Sequence, residues 1–180
     1  MDIKIRPMVK DDWQMVSEIY KQGIESNMAT LEYLCPPFDE WDAEHKKVGR
    51  FVAEKNGEVV GWIALSEISG CEAYKGVCEV SIYVDMDERH TGIGEALVKN
   101  EVSFADDNNI WTLQATVLDE NEAGIQLFEK CGFRRVGYRK MIGIDKFRHW
   151  RNTILLEKRS GVIGFTGCDM EHCSMKEKMM

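Results

Sequence analysis

An α+β fold, with one mixed and mainly antiparallel sheet flanked by helices, is what the pattern of this chain predicts. Three observations carry that reading. Apolar periodicity gives the order β-α-α-β-β-β-α-β-α-β-β. The strand-like runs FVAEK and VVGWIALSEI are separated by Asn56-Gly57, a hairpin signal, because both residues tolerate positive φ. The segment from Val77 to Glu95, VCEVSIYVDMDERHTGIGE, is a strand and short turn leading into a helix opened by Gly92 and Gly94.

In chain order, residues 2–9 read as an opening strand with Pro7 near its end. Asp11 or Asp12 can cap a helix whose apolar face is Trp13, Val16, Tyr20 and Ile24, at helical spacing. A loop runs through Asn27 and Thr30 to Pro36-Pro37, and FDEWDAEHKKVG reads as a second helix stopped by Gly49. After the hairpin, Val77–Val84 alternates: Val80, Ile82 and Val84 face one way, Glu79, Ser81 and Tyr83 the other. The helix begun at Gly92 buries Ile93, Leu97, Val102 and Ala105. The strand WTLQATV leads to a helix with Leu127, Phe128 and Cys131 on one face, ended by Gly132. FRRVGYRKMIG and NTILLEK complete the sheet. Periodicity fades after Gly161, which predicts one domain over residues 1–159 and a flexible tail over 160–180.

Composition narrows the function. With 44% hydrophobic and 30% charged residues, the 180-residue chain suits one soluble domain. A formal net charge of −8 argues against nucleic acid as partner, since phosphate backbones demand a basic surface. The opening MDIKIRPMVKDD carries charges where a signal peptide needs an apolar core. No run approaches the ~20 apolar residues that span a bilayer, so a cytoplasmic protein without membrane contact is expected. Cys35, Cys71, Cys78 and Cys131 lack paired spacing and read as free thiols. Cys168, His172 and Cys173 in CDMEHC form an incomplete ligand set, and no metal is expected.

A helix N-terminus presents unpaired N–H groups and the positive end of its dipole, which suits phosphate. Glycines at 92 and 94 let an anion approach, and Arg89 adds a positive charge. A dinucleotide fingerprint would need a third glycine where Leu97 stands. Instead, RHTGIG (Arg89–Gly94) resembles the pyrophosphate loop Q/R-x-x-G-x-G/A of the GNAT acetyltransferases. NEAGIQLFEKCGF (Asn121–Phe133) is similar to a later helix of that superfamily.

Three further stretches are similar to the phosphinothricin N-acetyltransferase group, with its methionine sulfone/sulfoximine and arsinothricin relatives. They are Met28–Glu32, Tyr74–Val84, and Lys146-Phe147 with Trp150–Asn152. Leu31, Arg148 and Asn152 depart from the usual Phe, Gly and Asp, and Phe128 stands where many GNAT enzymes have a tyrosine.

The resemblance implies a GNAT fold with a splayed central strand pair, acetyl-CoA as co-substrate, a homodimer, and a small amino acid or amino-acid-like antimetabolite as acceptor. It implies that the backbone of Ile82, Tyr83 and Val84 holds the pantetheine arm, helped by Asn121. Arg89, His90, Thr91, Gly92, Ile93, Gly94 and Glu95 would hold the pyrophosphate. Glu79, on the polar face of its strand, is the candidate base for the acceptor amine. Glu32 and Lys75 are candidate acceptor contacts, followed by Lys146 and Arg148. A protein N-terminal acetyltransferase and a non-catalytic acyl-CoA-binding module remain alternatives; the second has no need of Glu79.

Overall fold

The computed structural model describes residues 3–164. Seven strands and four helices alternate as β1 (Ile3–Pro7), α1 (Trp13–Glu25), α2 (Phe38–Glu44), β2 (Phe51–Lys55), β3 (Glu58–Glu67) and β4 (Val77–Val84). The chain continues through α3 (Ile93–Asp107), β5 (Thr112–Leu118), α4 (Glu122–Lys130), β6 (Arg134–Ile144) and β7 (Trp150–Arg159). One sheet holds them in the order β1-β2-β3-β4-β5-β7-β6. The predicted element order is observed. Asn56 and Gly57 have φ of 54° and 86°, the doubly positive turn that suits the twist of β2 and β3.

The β4–β5 pair is parallel, as its crossover through α3 requires, and the other five pairs are antiparallel. Its ladder is short: Val77, Cys78 and Glu79 pair with Thr112, Leu113 and Gln114. Beyond Glu79 the two strands run on unpaired with each other, while β3 and β7 keep their outer edges in register to Val84 and Leu118. A wedge therefore opens inside the sheet without loosening its flanks.

Each face has its own core. Ile93, Leu97 and Val98 of α3 and Ile125 and Phe128 of α4 pack on Ile63, Val80, Leu113 and Ala115. On the other face α1 and α2 enclose an aromatic cluster in which Tyr20, Trp41 and Trp62 are buried and Tyr83 is partly covered.

Three local expectations need correction. Asp12 gives no side-chain cap to α1. Its carboxylate accepts from the Val9 N–H at 2.8 Å and from both terminal nitrogens of Arg6, closing a short 3-10 turn instead. Helix α2 ends at Glu44 rather than at Gly49, because His45 turns extended and the Lys46 N–H donates to Leu65 O on β3. On α3, Val102 is half-buried, whereas Val98 and Glu101 lie in the core.

Glu101 is 0% exposed, and neither carboxyl oxygen has a hydrogen-bond partner among the described residues. Gly49, at φ +70°, lies directly against it: a Cβ there would fall 2.8 Å from Glu101 Oε1. Burial pushes this carboxyl up to about 8. Folding then retains a proton that the unfolded chain loses near pH 4.5, so stability falls as pH rises from there to about 8. Glu101→Gln should gain roughly 1–3 kcal/mol more over the parent at pH 8 than at pH 5 in urea unfolding. An equal difference at both pH values would show that Glu101 does not titrate in this window.

A buried charge cluster joins the start of the α1–α2 loop to the β6–β7 turn. Asp145 accepts from Asn27 Nδ2 at 3.0 Å, from the N–H groups of Phe147 and His149 at 2.9 Å, and from Arg151 Nη1 at 3.1 Å. Arg151 also donates to Asn27 O and Glu120, and Tyr33 Oη donates to Ile144 O. The Asn27 amide, with the other donors, holds the Asp145 carboxyl well below the usual aspartate range. Asp145→Ala leaves the buried Arg151 with the exposed Glu120 as its one remaining ion-pair partner among the described residues and should lower stability near neutral pH. Stability from a depressed carboxylate is lost as pH falls, so the penalty should shrink between pH 4 and pH 2. Denaturant titrations across that range test both statements.

Candidate active site

The wedge between β4 and β5 opens into a cleft of about 760 Å³. Strand alternation decides what faces it. Val80, Ile82 and Val84 join the α3–α4 core, while Tyr83 packs with α1 and Glu79 and Ser81 share its side. On β5, Gln114 lies in register with Glu79, and its Nε2 donates to Glu79 Oε2 at 3.2 Å. This amide orients a half-buried carboxylate at the apex of the wedge. Tyr83 is wedged between rings, 4.7 Å from Trp62 and 4.8 Å from Tyr20. It needs a bare neighbour, since a Cβ on Gly23 would fall 2.6 Å from its ring. Burial pushes the Tyr83 hydroxyl far up, and the nearby Tyr20 adds to it; burial also takes Tyr20 up to about 12. Both phenols stay protonated at neutral pH.

The turn after β4 is tied to α1. Gln22 Nε2 donates to Asp85 Oδ2 at 2.9 Å, and the Met86 N–H donates to Gln22 Oε1 at 2.9 Å. His90 and Gly92 then take φ of 63° and 91°, reversing the chain into α3. The Ala96 N–H donates to Gly92 O, so the preceding N–H groups of the first turn have no intrahelical acceptor. No atom lies within 4 Å of where a Gly92 Cβ would be, whereas a Cβ on Gly94 would come within 3.1 Å of Leu127. Gly92 thus leaves open space in front of those donors, and Gly94 lets α4 pack closely. Glu95 is held by Lys130 at 2.5 Å and Lys99 at 2.6 Å, which together bring its carboxyl down to about 2.

The structure brings most predicted residues to one cleft. Glu32, Glu79, Ile82, Tyr83, Val84, Arg89, His90, Gly92, Gly94, Glu95 and Asn121 all line it. Thr91 is exposed, its hydroxyl donating to Glu88 O at 2.6 Å, and Ile93 is buried as the anchor of α3. Neither side chain lines the cleft. Asn121 caps α4 by accepting from the Gly124 N–H at 2.9 Å, which leaves its amide N–H groups available to the cleft.

Three predicted cations are not brought there. Lys75 is exposed and paired with Glu72 at 2.5 Å. Lys146 donates to Ile24 O at 3.0 Å at the end of α1, and Arg148 is exposed at φ 71°. Phe128 lines the cleft against Phe133 and offers no proton.

Sequence reading missed Gln114, Thr116 and Thr153. The signal was present for the first two, because alternation in WTLQATV puts them on the Glu79 side. Among the described residues no group of three or more His, Cys, Asp or Glu could hold a metal ion. Cys168, His172 and Cys173 lie outside the described residues, while Cys35, Cys71, Cys78 and Cys131 are free thiols. No helix among the described residues is long and apolar enough to cross a membrane.

A donor-rich helix start and an oriented carboxylate at opposite parts of one wedge suit transfer of a group from a phosphate-bearing carrier to an amine. Known proteins resemble the chain in sequence and fold. YwnH of Bacillus subtilis, whose name provisionally assigns it to phosphinothricin acetylation, is 35% identical over 131 residues (70% of this chain, 80% of YwnH). The phosphinothricin N-acetyltransferase of Alcaligenes faecalis is 28% identical over 160 residues, covering 86% of this chain and 81% of the relative. The L-methionine sulfoximine/L-methionine sulfone acetyltransferase of Pseudomonas aeruginosa is 28% identical over 101 residues, 56% of this chain and 58% of the relative. A GNAT superfamily phosphinothricin acetyltransferase from Sinorhizobium meliloti, crystallised in complex with AcCoA, superposes with a TM-score of 0.81 at 24% identity. That match covers 94% of this chain and 97% of the neighbour. The model of the acetyltransferase (GNAT) family matches residues 13–133, from the start of α1 past the end of α4. With the family model and the relative YwnH in agreement, the chain belongs to the GNAT family of acetyltransferases.

Proposed function

We propose that this acetyltransferase moves the acetyl group of acetyl-CoA directly to the α-amine of a small amino acid or amino-acid-like antimetabolite of the phosphinothricin or methionine sulfoximine type. One observation carries the reading: the β4–β5 ladder stops at Glu79, so the wedge runs from a bare helix start to an oriented carboxylate. The backbone N–H groups from Thr91 to Glu95, flanked by Arg89 and His90, bind the pyrophosphate; the open space at Gly92 fits that role. The unpaired backbone of Ile82, Tyr83 and Val84 and the amide of Asn121 hold the pantetheine arm. Acetyl-CoA, when bound, supplies the activated thioester carbonyl.

Glu79 removes the proton of the acceptor ammonium, directly or through one water, while Gln114 holds it in place. A thiolate with a pKa near 8.5 leaves without a tyrosine at position 128. The acceptor enters beneath the α1–α2 loop, where Thr30, Leu31 and Glu32 form a wall. Its class comes from the names of the relatives. The exposed position of Lys75 gives that residue no part in the proposal. A homodimer through β6 and the following turn is part of it, supported by exposed Tyr138, Met141, Ile142, Phe147 and Trp150.

Thiol release with L-phosphinothricin, L-methionine sulfone, other amino acids and short peptides tests the acceptor. Turnover of the amino acids should exceed that of peptide N-termini, and the reverse order would overturn the proposal. Glu79→Gln should lower kcat by roughly 10²–10⁴ with acetyl-CoA affinity preserved; near-native turnover across pH 6–9 would exclude Glu79 as the base. Gly92→Asp sets a negative charge and a strained φ before α3 and should abolish acetyl-CoA binding in calorimetry. Unchanged affinity in the folded variant would refute the pyrophosphate site.

A further inference from the structure

Arginine side chains on β6 fall into two kinds. Arg134 pairs with Glu157, and Arg135 pairs with Glu129 at 2.6 Å. Arg139, half-buried, has no ion pair among the described residues. Its Nη2 donates to Thr116 Oγ1 at 2.7 Å, and its Nε is buried with no hydrogen-bond partner. Since β7 lies between β6 and β5, the side chain must cross a whole strand to reach Thr116, which lines the cleft. Directly opposite Arg139 in the ladder is Thr153 on β7, 3% exposed and also lining the cleft, and its hydroxyl has no partner either.

We propose that Arg139, Thr116 and Thr153 form an anion subsite that takes the α-carboxylate of the acceptor. The proposal rests on the amino-acid acceptor inferred above and identifies the group that recognises its acid end. A half-buried guanidinium whose Nε is buried without a hydrogen-bond acceptor is left short of partners until an anion meets it. Thr116 already accepts a hydrogen bond, so its own O–H is free to donate, and Thr153 has a donor to spare. Across the wedge, Glu79 and Glu32 supply negative charge, while Arg89, His90 and Lys130 belong to the helix-start end. The cleft thus offers both charges of a zwitterion: carboxylates for its ammonium, and two lining hydroxyls backed by the Arg139 guanidinium for its carboxylate.

The probes are L-methionine sulfone and its α-carboxamide, which share the side chain and the amine but differ in the charge of the acid end. In Arg139→Met, kcat/KM for the acid should fall by roughly 10- to 100-fold, mostly through KM, while the amide changes by less than about threefold. Comparing variant with parent for each substrate cancels the lower amine pKa of the amide. Arg139→Lys should recover part of the loss, and acetyl-CoA affinity should not move. Equal falls for acid and amide, or no fall, would overturn the subsite. Should Arg139→Met not fold, Thr153→Val carries the same comparison.

A failure of the acceptor reading is separable from a failure of the subsite. If no amino acid is acetylated, N-acetyl-L-methionine sulfone is titrated calorimetrically into the CoA-loaded protein and its Arg139→Lys variant. Tighter binding to the parent, lost with the α-carboxamide, supports the subsite; binding indifferent to both changes, or none, overturns it.

Discussion

Three residue pairs hold β4 to β5, and the ladder then stops. The cleft, and with it the proposed site, depends on that ending. Parallel strands in a sheet ordinarily satisfy each other's backbone groups, and an unpaired buried group is expensive. Here the polar edges past Glu79 face a cleft, so they can be satisfied by a bound molecule. The cost of opening the sheet is contained by the neighbours. β3 stays in register with β4 to Val84, and β7 with β5 to Leu118. Each arm of the wedge belongs to a continuous antiparallel pair.

The strands and helices were legible because their signals are local. Alternation in Val77–Val84, the Asn56-Gly57 turn and the glycine that opens α3 each depend on a few adjacent residues, and each is found as read. The end of α2 was not legible, because a tertiary bond from Lys46 to Leu65 pulls the chain out of the helix before Gly49. Asp12 looked like a cap because nothing near it in sequence reveals that Arg6 would claim its carboxylate. Glu101 falls on the apolar stripe of α3, where a charged residue normally breaks the pattern. Its burial follows from the loop at Gly49 closing over it.

The candidate site divides in the same way. Its helix-start end rests on a contiguous motif, so Arg89, Gly92 and Gly94 could be named in advance. Its other end, where the acceptor is proposed to sit, is lined from β4, β5, β7 and the α1–α2 loop, with Arg139 of β6 behind Thr116, and these meet only after folding. The resemblance of Tyr74-Lys75-Gly76 to the phosphinothricin group made Lys75 the candidate cation, yet it projects from the turn before β4 toward Glu72. Arg139, 64 positions further along the chain, reaches the cleft wall by crossing β7. Charge in such a site is set by strand order, and strand order is a long-range property.

The Asn27–Asp145–Arg151 cluster fastens the loop that roofs the acceptor wall, and it shares no bond with the α3 start. At that start the contacts offered are backbone N–H groups, which most substitutions leave intact. The acceptor wall, by contrast, is made of side chains that a single codon change can replace. One half of the site is therefore mutationally robust and the other freely adjustable. A lineage carrying this scaffold could exchange one acceptor for another by small steps at Thr30, Leu31, Glu32 and Arg139, with the Asn27–Asp145–Arg151 cluster kept, without first disturbing the helix start.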